Sequence, residues 1–207
     1  MDDPRKHKIL ISKMDPLNGY EIILASGSPR RKSFLESLKL PFTVQTFLVE
    51  ENFPDHIQGK AIAEFIVKQK KAPFEKIIQP HQIVITADTI VWCEGRYLGK
   101  PKDIQEAKEM LEQLSGKSHE VITAVGFLTT HKFELLSEVT KVYFKKLTEA
   151  EIDHYLEHQP PLDKAGAYGI QDWIGTIGIT KIEGSYTNVV GLPLAQVKEK
   201  IEHLINK

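Results

Sequence analysis

The sequence has very little cysteine, no long apolar run and almost no net charge. Its 207 residues include a single cysteine, Cys93, which excludes an internal disulfide or a cysteine metal cage and fits a reducing compartment. No stretch approaches the roughly 20 apolar residues of a membrane span. The formal net charge is −1, so no long-range field draws the chain to nucleic acid or to a membrane surface. We therefore expect a soluble, cytoplasmic protein with neither partner.

Two widespread catalytic motifs are also missing. The chain has no Gly-x-x-x-x-Gly-Lys-Ser/Thr phosphate-binding loop and no Gly-x-Ser-x-Gly nucleophile elbow, so two common enzyme classes lose support. Residues 1–20 are charged, and their only apolar run, Ile9–Ile11, is too short for the core of a signal peptide. We interpret residues 1–20 as an N-terminal extension, either an added edge strand or a loose arm, ahead of one domain at 21–207.

Hydrophobic periodicity predicts that helices alternate with strands along this domain. The predicted strands are 22–25, 41–49, 82–92, 119–129, 137–145 and 177–183, and the predicted helices begin near 28, 58, 103, 148 and 193. In the second strand, Phe42, Val44 and Leu48 are expected to face inward. The two long strands at 119–129 and 137–145 indicate an antiparallel pair. We therefore predict an α/β fold with a mixed twisted sheet, flanking helices and two lobes around a central cleft.

Local capping and turn signals fix several of these boundaries. Asp103 is placed to cap one helix, and Gly116 to end it. Thr148 and Glu151 have the spacing of a capping box. The pair Glu94–Gly95 predicts a hairpin turn after the third strand.

Residues 21–38 carry the first sign of a ligand. An apolar run predicts a short buried strand, and a helix follows with Ser28 as its N-cap. Arg30, Arg31 and Lys32 all fall in the first turn, where a helix already carries about half a positive charge. Unpaired backbone N–H groups and cations at one point favour an anion, most simply a phosphate. The alternative is that these cations are solvated or paired with carboxylates elsewhere.

Asp88 is out of place in an otherwise apolar strand. A buried carboxylate is costly unless it is paired or bound to a metal, and α/β proteins place ligand sites at the carboxyl ends of central strands. Glu50 and Glu51 lie in an acidic turn, and their oxygens would suit Mg²⁺ or Mn²⁺ if they face Asp88. The alternatives are that Asp88 caps a turn or pairs with a structural cation, and that the glutamates form a solvated turn.

Further lysines are also placed to meet an anion. Lys68, Lys70 and Lys71 end the second helix, where cations also simply complement the helix dipole. Lys100 stands between a glycine and a proline, in a loop of fixed geometry. It is either a surface lysine or a cation directed at phosphate.

The segment 163–171 is a loop rich in small residues. Its glycines allow a ligand to approach the backbone closely, and the Gln171 amide can read a base edge through one donor and one acceptor. The alternative is a tight structural turn.

In this order, these segments resemble the Maf family of nucleoside triphosphate pyrophosphatases, also known as septum-formation inhibitor proteins. The resemblance extends over about residues 21 to 205, and eight matches in register are highly specific. The matching segments are Ser26-Gly-Ser-Pro-Arg-Arg31, Glu50-Glu51, Lys71-Ala72, Ala87-Asp-Thr-Ile-Val91, Gly99-Lys-Pro101, Leu114-Ser-Gly-Lys-Ser-His119, Asp163-Lys-Ala-Gly-Ala-Tyr-Gly-Ile-Gln171 and Gly184-Ser-Tyr-Thr-Asn-Val-Val-Gly-Leu-Pro193.

The resemblance implies a fold similar to the inosine-triphosphate pyrophosphatase group, usually as a homodimer. It implies metal-dependent hydrolysis of a nucleoside triphosphate to the monophosphate and pyrophosphate. The chain is similar to the branch that acts on dTTP and UTP, which has the residues found here as Arg30, Thr89 and Gln171. It departs from the family at Asp172 and Trp173, where a glycine usually follows Gly-Ile-Gln, and this departure bears on the base pocket.

Carried onto this sequence, the resemblance gives each residue a hypothetical role. Asp88 and Glu51 are the catalytic pair: they hold one Mg²⁺ or Mn²⁺, and Asp88 or a water that it orients is the general base. Thr89 and Gln171 select the base. The triphosphate-binding set is Ser26, Ser28, Arg30, Arg31, Lys71 and Lys100, with Lys70 as a rival to Lys71. The rival functions are a non-catalytic nucleotide sensor or division regulator, and a purine-directed pyrophosphatase.

Overall fold

The computed structural model describes residues 15–206. The predicted edge strand or arm at Ile9–Ile11 lies outside the described residues. Residues 15–20 pack onto the domain: Leu17 is buried in the core, and the Asn18 side chain donates to Asn206 Oδ1 at 2.9 Å. The start of the described chain is therefore fastened to the end of the last helix. Within the described range, none of the helices is both long and apolar enough to cross a membrane.

Seven strands form one mixed sheet. They are β1 (Glu21–Ala25), β2 (Phe42–Val44), β3 (Gln82–Cys93), β4 (Arg96–Leu98), β5 (Ser118–Leu128), β6 (Phe133–Phe144) and β7 (Ile179–Glu183). Their order is β2-β1-β3-β5-β6-β7, and β4 pairs with the distal end of β3. The pairs β1–β2 and β1–β3 are parallel, and all the others are antiparallel. The predicted mixed sheet is confirmed.

In residues 15–206, seven α-helices flank this sheet. They are α1 (Pro29–Ser37), α2 (Lys60–Lys71), α3 (Ile104–Leu114), α4 (Glu149–His158), α5 (Trp173–Gly178), α6 (Tyr186–Val190) and α7 (Leu194–Ile205). Two of the predicted caps are confirmed by hydrogen bonds: Asp103 accepts from the Glu106 amide, and Thr148 and Glu151 form a reciprocal capping box. Ser28 is the N-cap residue of α1, as predicted, but its side chain forms no capping hydrogen bond. Glu94 and Gly95 both have positive φ, as the tight turn between β3 and β4 requires.

Two hydrophobic clusters divide the fold. The α1–α7 cluster joins β1 and the first half of β3 to helices α1 and α7, whereas the α3–α4 cluster joins the second half of β3 to helices α3 and α4. Helix α2 covers the opposite face of β3 and β5. The 12-residue β3 runs through both clusters, and they correspond to the two predicted lobes.

Three parts of the predicted fold are wrong. The second strand ends at Val44 rather than at 49, and Val44, at 46% exposed, and Leu48, fully exposed, do not face inward. The reason is that β1 ends at Ala25, so the last parallel bond runs from the Gln45 amide to the Leu24 carbonyl at 3.2 Å and nothing remains to pair with. The predicted irregular segment after 160 contains helix α5, which delays β7 to residue 179, and the predictions omitted helix α6.

Candidate active site

A cleft of about 620 Å³ opens between the two clusters. β1 pairs with β3 only as far as the pair Ala25–Thr86, and β4 pairs with β3 only from Val91 onward. Four residues of β3, 87–90, therefore have no partner strand on that edge of the sheet. The cleft lies in this gap, just outside the carboxyl end of a parallel strand, where open α/β sheets bind ligands.

Asp88 lies in the middle of β3. Successive residues of a strand point to opposite faces. Asp88 therefore contacts Lys70 of α2 on one face, while Thr89 contacts Arg31 of α1 on the other. Because β1 has already ended, the cleft has access to both faces at this level. One strand thus supplies two neighbouring polar groups to a single site.

Arg31 is fixed by three hydrogen bonds. Its Nε donates to the Gly191 carbonyl at 2.9 Å, one terminal nitrogen donates to Ser26 Oγ at 3.2 Å, and the other to Thr89 Oγ1 at 3.0 Å. The Ser26 hydroxyl also accepts from the Ser28 amide at 3.3 Å. Burial lowers the pKa of Arg31, and the charge of Asp88 partly offsets this effect. The guanidinium is therefore held rigidly at the cleft wall, with one N–H left on each terminal nitrogen.

Arg30 crosses the mouth of the cleft. Its Nη1 is 2.7 Å from Asp163 Oδ2, and its Nη2 donates to the Asp163 carbonyl at 3.3 Å. The side chain of Arg30 is 31% exposed and that of Asp163 is 59% exposed. Both Arg30 and Arg31 therefore have partners within the protein. The sequence had left this pairing open as the alternative to a bound phosphate.

Lys70, not Lys71, faces the carboxylates of the cleft. Its ammonium group lies 2.7 Å from Asp88 Oδ1 and 2.8 Å from Glu51 Oε1, and its side chain is only 17% exposed. Lys71 instead pairs with Glu75, in the short 3₁₀ turn that follows α2, and lies over the ring of Phe133, outside the cleft. The expected placement of Lys71 at the phosphates is therefore wrong. Adjacent residues of a helix point about 100° apart, so only one of the two lysines can face the cleft.

Glu51 reaches this site from the irregular segment between β2 and α2. Burial alone would raise the pKa of Glu51, but the charges of Lys70, Lys100 and Arg31 and the Lys70 hydrogen bond outweigh it and lower that pKa. The expected meeting of Glu51 and Asp88 is present. Glu50 points elsewhere and accepts from the Asn52 side chain.

Lys100 lines the cleft and a recess of about 280 Å³ beside it. The adjoining Gly99 packs against Tyr97: a Cβ at position 99 would lie 2.5 Å from the Tyr97 hydroxyl. Burial, and then the charges of Asp88 and Glu51, raise the pKa of Tyr97 to about 12, so this phenol stays neutral. Tyr97 therefore fixes the path of the loop that carries Lys100.

The loop at 163–171 forms the other wall, and Gln171 lines the cleft with an exposed side chain. Behind the loop, the Tyr168 hydroxyl is 2.7 Å from Nε2 of the buried His119. Burial lowers the pKa of His119 to about 4, so the imidazole is neutral. This pair supports the loop from the core side. The Thr89 hydroxyl forms hydrogen bonds with Arg31 and with Thr123, so both of its partners are protein side chains.

Sequence reasoning missed Lys164 of this wall and named Asp172 only as a departure from the family. Lys164 and Asp172 both line the cleft, and the Lys164 ammonium lies 3.5 Å from Asp172 Oδ2. That oxygen also accepts from the Tyr155 hydroxyl at 2.6 Å. The departure from the family at Asp172 was the available signal, because a carboxylate there requires partners.

The donor set fits a divalent cation only in company with a substrate. Asp88 and Glu51 converge on one ammonium group, and two carboxylates with phosphate oxygens and water are a usual Mg²⁺ environment. Over residues 15–206, no cluster of three or more His, Cys, Asp or Glu side chains is placed to hold a metal. The His-x-x-x-His pair His154 and His158 stacks at the surface of α4 beside Trp173 and belongs to no such cluster. The protein alone therefore supplies only part of the ligands of a metal site, and the substrate and water would supply the rest.

In this α/β protein, cations from three parts of the fold surround two converging carboxylates in one cleft, an arrangement that suits an anion. The chain belongs to the Maf family: the family model described as Maf-like protein matches residues 21–204. A protein from Christiangramia forsetii named dTTP/UTP pyrophosphatase is 48% identical over 190 residues, which are 92% of this chain and 97% of that protein. One of the same name from Bacteroides fragilis is 47% identical over 189 residues, 91% of this chain and 98% of that protein.

A solved structure agrees with the fold. The Ham1 protein of Staphylococcus aureus superimposes with a TM-score of 0.51 and 16% identity, covering 87% of this chain and 99% of that one. At this identity the likeness shows the architecture alone, and it confirms the predicted α/β fold.

Proposed function

We propose that the protein hydrolyses nucleoside triphosphates to the monophosphate and pyrophosphate, with dTTP and UTP as preferred substrates. The observation that carries this proposal is the carboxylate pair of Asp88 and Glu51 on the partly buried Lys70, inside a cleft lined by arginines. Cations alone would suffice to bind a phosphate, but carboxylates at the same point supply a base. Membership of the Maf family and the names of its relatives support the activity and the two substrates.

In this proposal the triphosphate lies along the cationic wall of the cleft. Arg31 offers the N–H groups that its three protein bonds leave free, and Arg30 and Lys100 add charge from either side. Ser28 lies at the start of α1, whose backbone N–H groups favour an anion. Ser26 and Thr89 hold Arg31 in place.

The chemical step is attack of water on the α-phosphorus. Asp88 accepts the proton of that water, the bond from the α-phosphorus to the bridging oxygen breaks, and pyrophosphate leaves with the electron pair. Lys70 holds the Asp88 carboxylate in one orientation through its 2.7 Å contact. The guanidinium groups offset charge that develops on the leaving group. Asp88 and Glu51, with phosphate oxygens, would hold one Mg²⁺ or Mn²⁺, which neutralises triphosphate charge.

We extend the proposal to the substrate base and to the assembly. Gln171, on the loop wall, reads the base edge through its amide. The domain at 21–207 acts as a homodimer in the cytoplasm, as the resemblance to the family implies.

The deciding experiment is pyrophosphate release from a panel of dTTP, UTP, CTP, ATP and GTP, with Mg²⁺ or Mn²⁺, by the wild type and Asp88→Asn. We expect release from dTTP and UTP first. We expect the variant to be folded and slower by about 10² to 10⁴, because proton transfer by a positioned base contributes about that factor. No release by the wild type supports a nucleotide sensor or division regulator, and a preference for ATP and GTP supports a purine-directed enzyme. Either result, or near-normal turnover by Asp88→Asn, contradicts the assignment.

A further inference from the structure

Two cations from opposite walls of the cleft form ion pairs with the same carboxylate. Arg30, on α1, approaches one oxygen of Asp163 to 2.7 Å, and Lys164, on the loop after α4, approaches the other oxygen to 2.8 Å. All three residues line the cleft. Burial would raise the pKa of Asp163, but hydrogen bonds from Lys164 and Arg30 lower it to about 2. The carboxylate is therefore ionised, and each of its oxygens pairs with one cation.

The position of Lys164 does not depend on Asp163 alone. Its side chain is 17% exposed, and its ammonium group has a second partner in Asp172 Oδ2 at 3.5 Å. Tyr155 fixes that oxygen by donating to it at 2.6 Å. The loop is tight at this point, since a Cβ on Gly169 would lie 2.6 Å from the same oxygen. Lys164 therefore stays at the cleft when Asp163 turns away.

Asp163 is the most exposed of the three partners. It is 59% exposed, against 31% for Arg30 and 17% for Lys164. A phosphate group presents to a guanidinium and an ammonium the same kind of anionic oxygens that a carboxylate does, with more charge. An incoming phosphate can thus take over both cations while Asp163 turns out into water.

We propose that Arg30 and Lys164 form a two-cation clamp for one phosphate group of the substrate, and that the Asp163 carboxylate occupies this clamp until substrate displaces it. The inference rests on the proposed function, and it adds Lys164 as a substrate-binding residue. It also gives the departure at Asp172 a role, because Asp172 anchors Lys164 rather than contacting the base.

The clamp predicts opposite effects for two members of one ion pair. Asp163→Asn removes the competitor, so the KM for dTTP falls about two- to fivefold, the range expected from an exposed pair. Lys164→Met removes a charged hydrogen bond to phosphate, so the KM rises about tenfold or more. Lys164→Arg retains most of the affinity. The kcat changes less than about twofold in each variant, because none of these groups contacts the reacting bond.

The matched control is Lys108→Met, which removes a lysine that bridges Glu149 and Asp153 between α3 and α4, away from the cleft. We expect its KM to equal that of the wild type. Thermal unfolding of every variant checks the fold. A direct measurement uses inorganic tripolyphosphate in a calorimetric titration, where Asp163→Asn binds more tightly and Lys164→Met more weakly than the wild type.

If Asp163→Asn and Lys164→Met both raise the KM and weaken tripolyphosphate binding, the ion pair merely braces the cleft and the clamp is wrong. Unchanged values for both variants also overturn it. These outcomes leave the proposed function intact as long as the wild type releases pyrophosphate. If the wild type does not release pyrophosphate, the proposed function fails instead, and the titration still decides the clamp.

Discussion

Replacing Lys70 by methionine removes the charge that holds the carboxylate pair together. The methionine side chain keeps most of the apolar stem, so the change isolates the ammonium group. Asp88, whose side chain is 9% exposed, then stays behind as a buried carboxylate without its 2.7 Å cation. Glu51, at 38% exposed, can turn toward water. The loss of folding free energy therefore arises mainly from the unpaired Asp88 carboxylate.

Breaking a buried ion pair from one side costs about 3–5 kcal/mol. A domain of this size has a free energy of unfolding of about 5–15 kcal/mol, and each kcal/mol lowers Tm by about 2–4 °C. We therefore expect Lys70→Met to lower the Tm by roughly 10 °C. Lys71→Met is the matched comparison, because Lys71 pairs with a glutamate that is 47% exposed and such pairs contribute about 0–1 kcal/mol.

The assay is urea unfolding of Lys70→Met, Asp88→Asn, the double variant and Lys71→Met. Because the double variant leaves no buried charge at position 88, we expect it to recover much of the stability that Lys70→Met loses. Equal losses for Lys70→Met and Lys71→Met would refute the reasoning. Strict additivity of Lys70→Met and Asp88→Asn would refute it as well.

Two further predictions concern the loop wall. The folded pKa of His119, about 4, lies below its unfolded value of about 6.5, so the unfolded state binds more protons between these limits. The stability that comes from keeping the imidazole neutral is thus complete above about pH 6.5, and it falls by about 3 kcal/mol as the pH drops to 4. The unfolding midpoint of His119→Gln should therefore change less with pH across this range than that of the wild type. Gln171→Ala should lower kcat/KM for dTTP and UTP about tenfold or more while leaving tripolyphosphate affinity unchanged, and a parallel loss of both would contradict a role in base selection.

Elements specified by local chemistry could be predicted from the sequence. The Asp103 cap and the Thr148–Glu151 capping box each depend on residues three positions apart, and both formed as predicted. The mixed sheet followed from periodicity and is confirmed by the observed pairing. The roles of the site residues stay predictions, although Asp88 and Glu51 do meet at one point.

The failures arose where a distant part of the chain decides the outcome. The end of β2 is set by the length of β1, and Leu48 therefore stays exposed despite its pattern. The choice between Lys70 and Lys71 depends on the rotation of α2 against β3, which the sequence of the helix alone does not contain. The position of Lys164 depends on the contact between its loop and α1, which lie more than 130 residues apart in the sequence.

The strand that carries Asp88 belongs to both hydrophobic clusters, whereas Gln171 and Lys164 lie on a loop whose buried residues Ala167 and Tyr168 belong to the α3–α4 cluster alone. Mutations therefore have different consequences in the strand and in the loop. A change at a buried position of the strand disturbs two cores at once, but a change at the exposed Gln171 disturbs neither. In the proposed mechanism, the residue that reads the base can therefore change without disturbing the strand that carries the reaction centre.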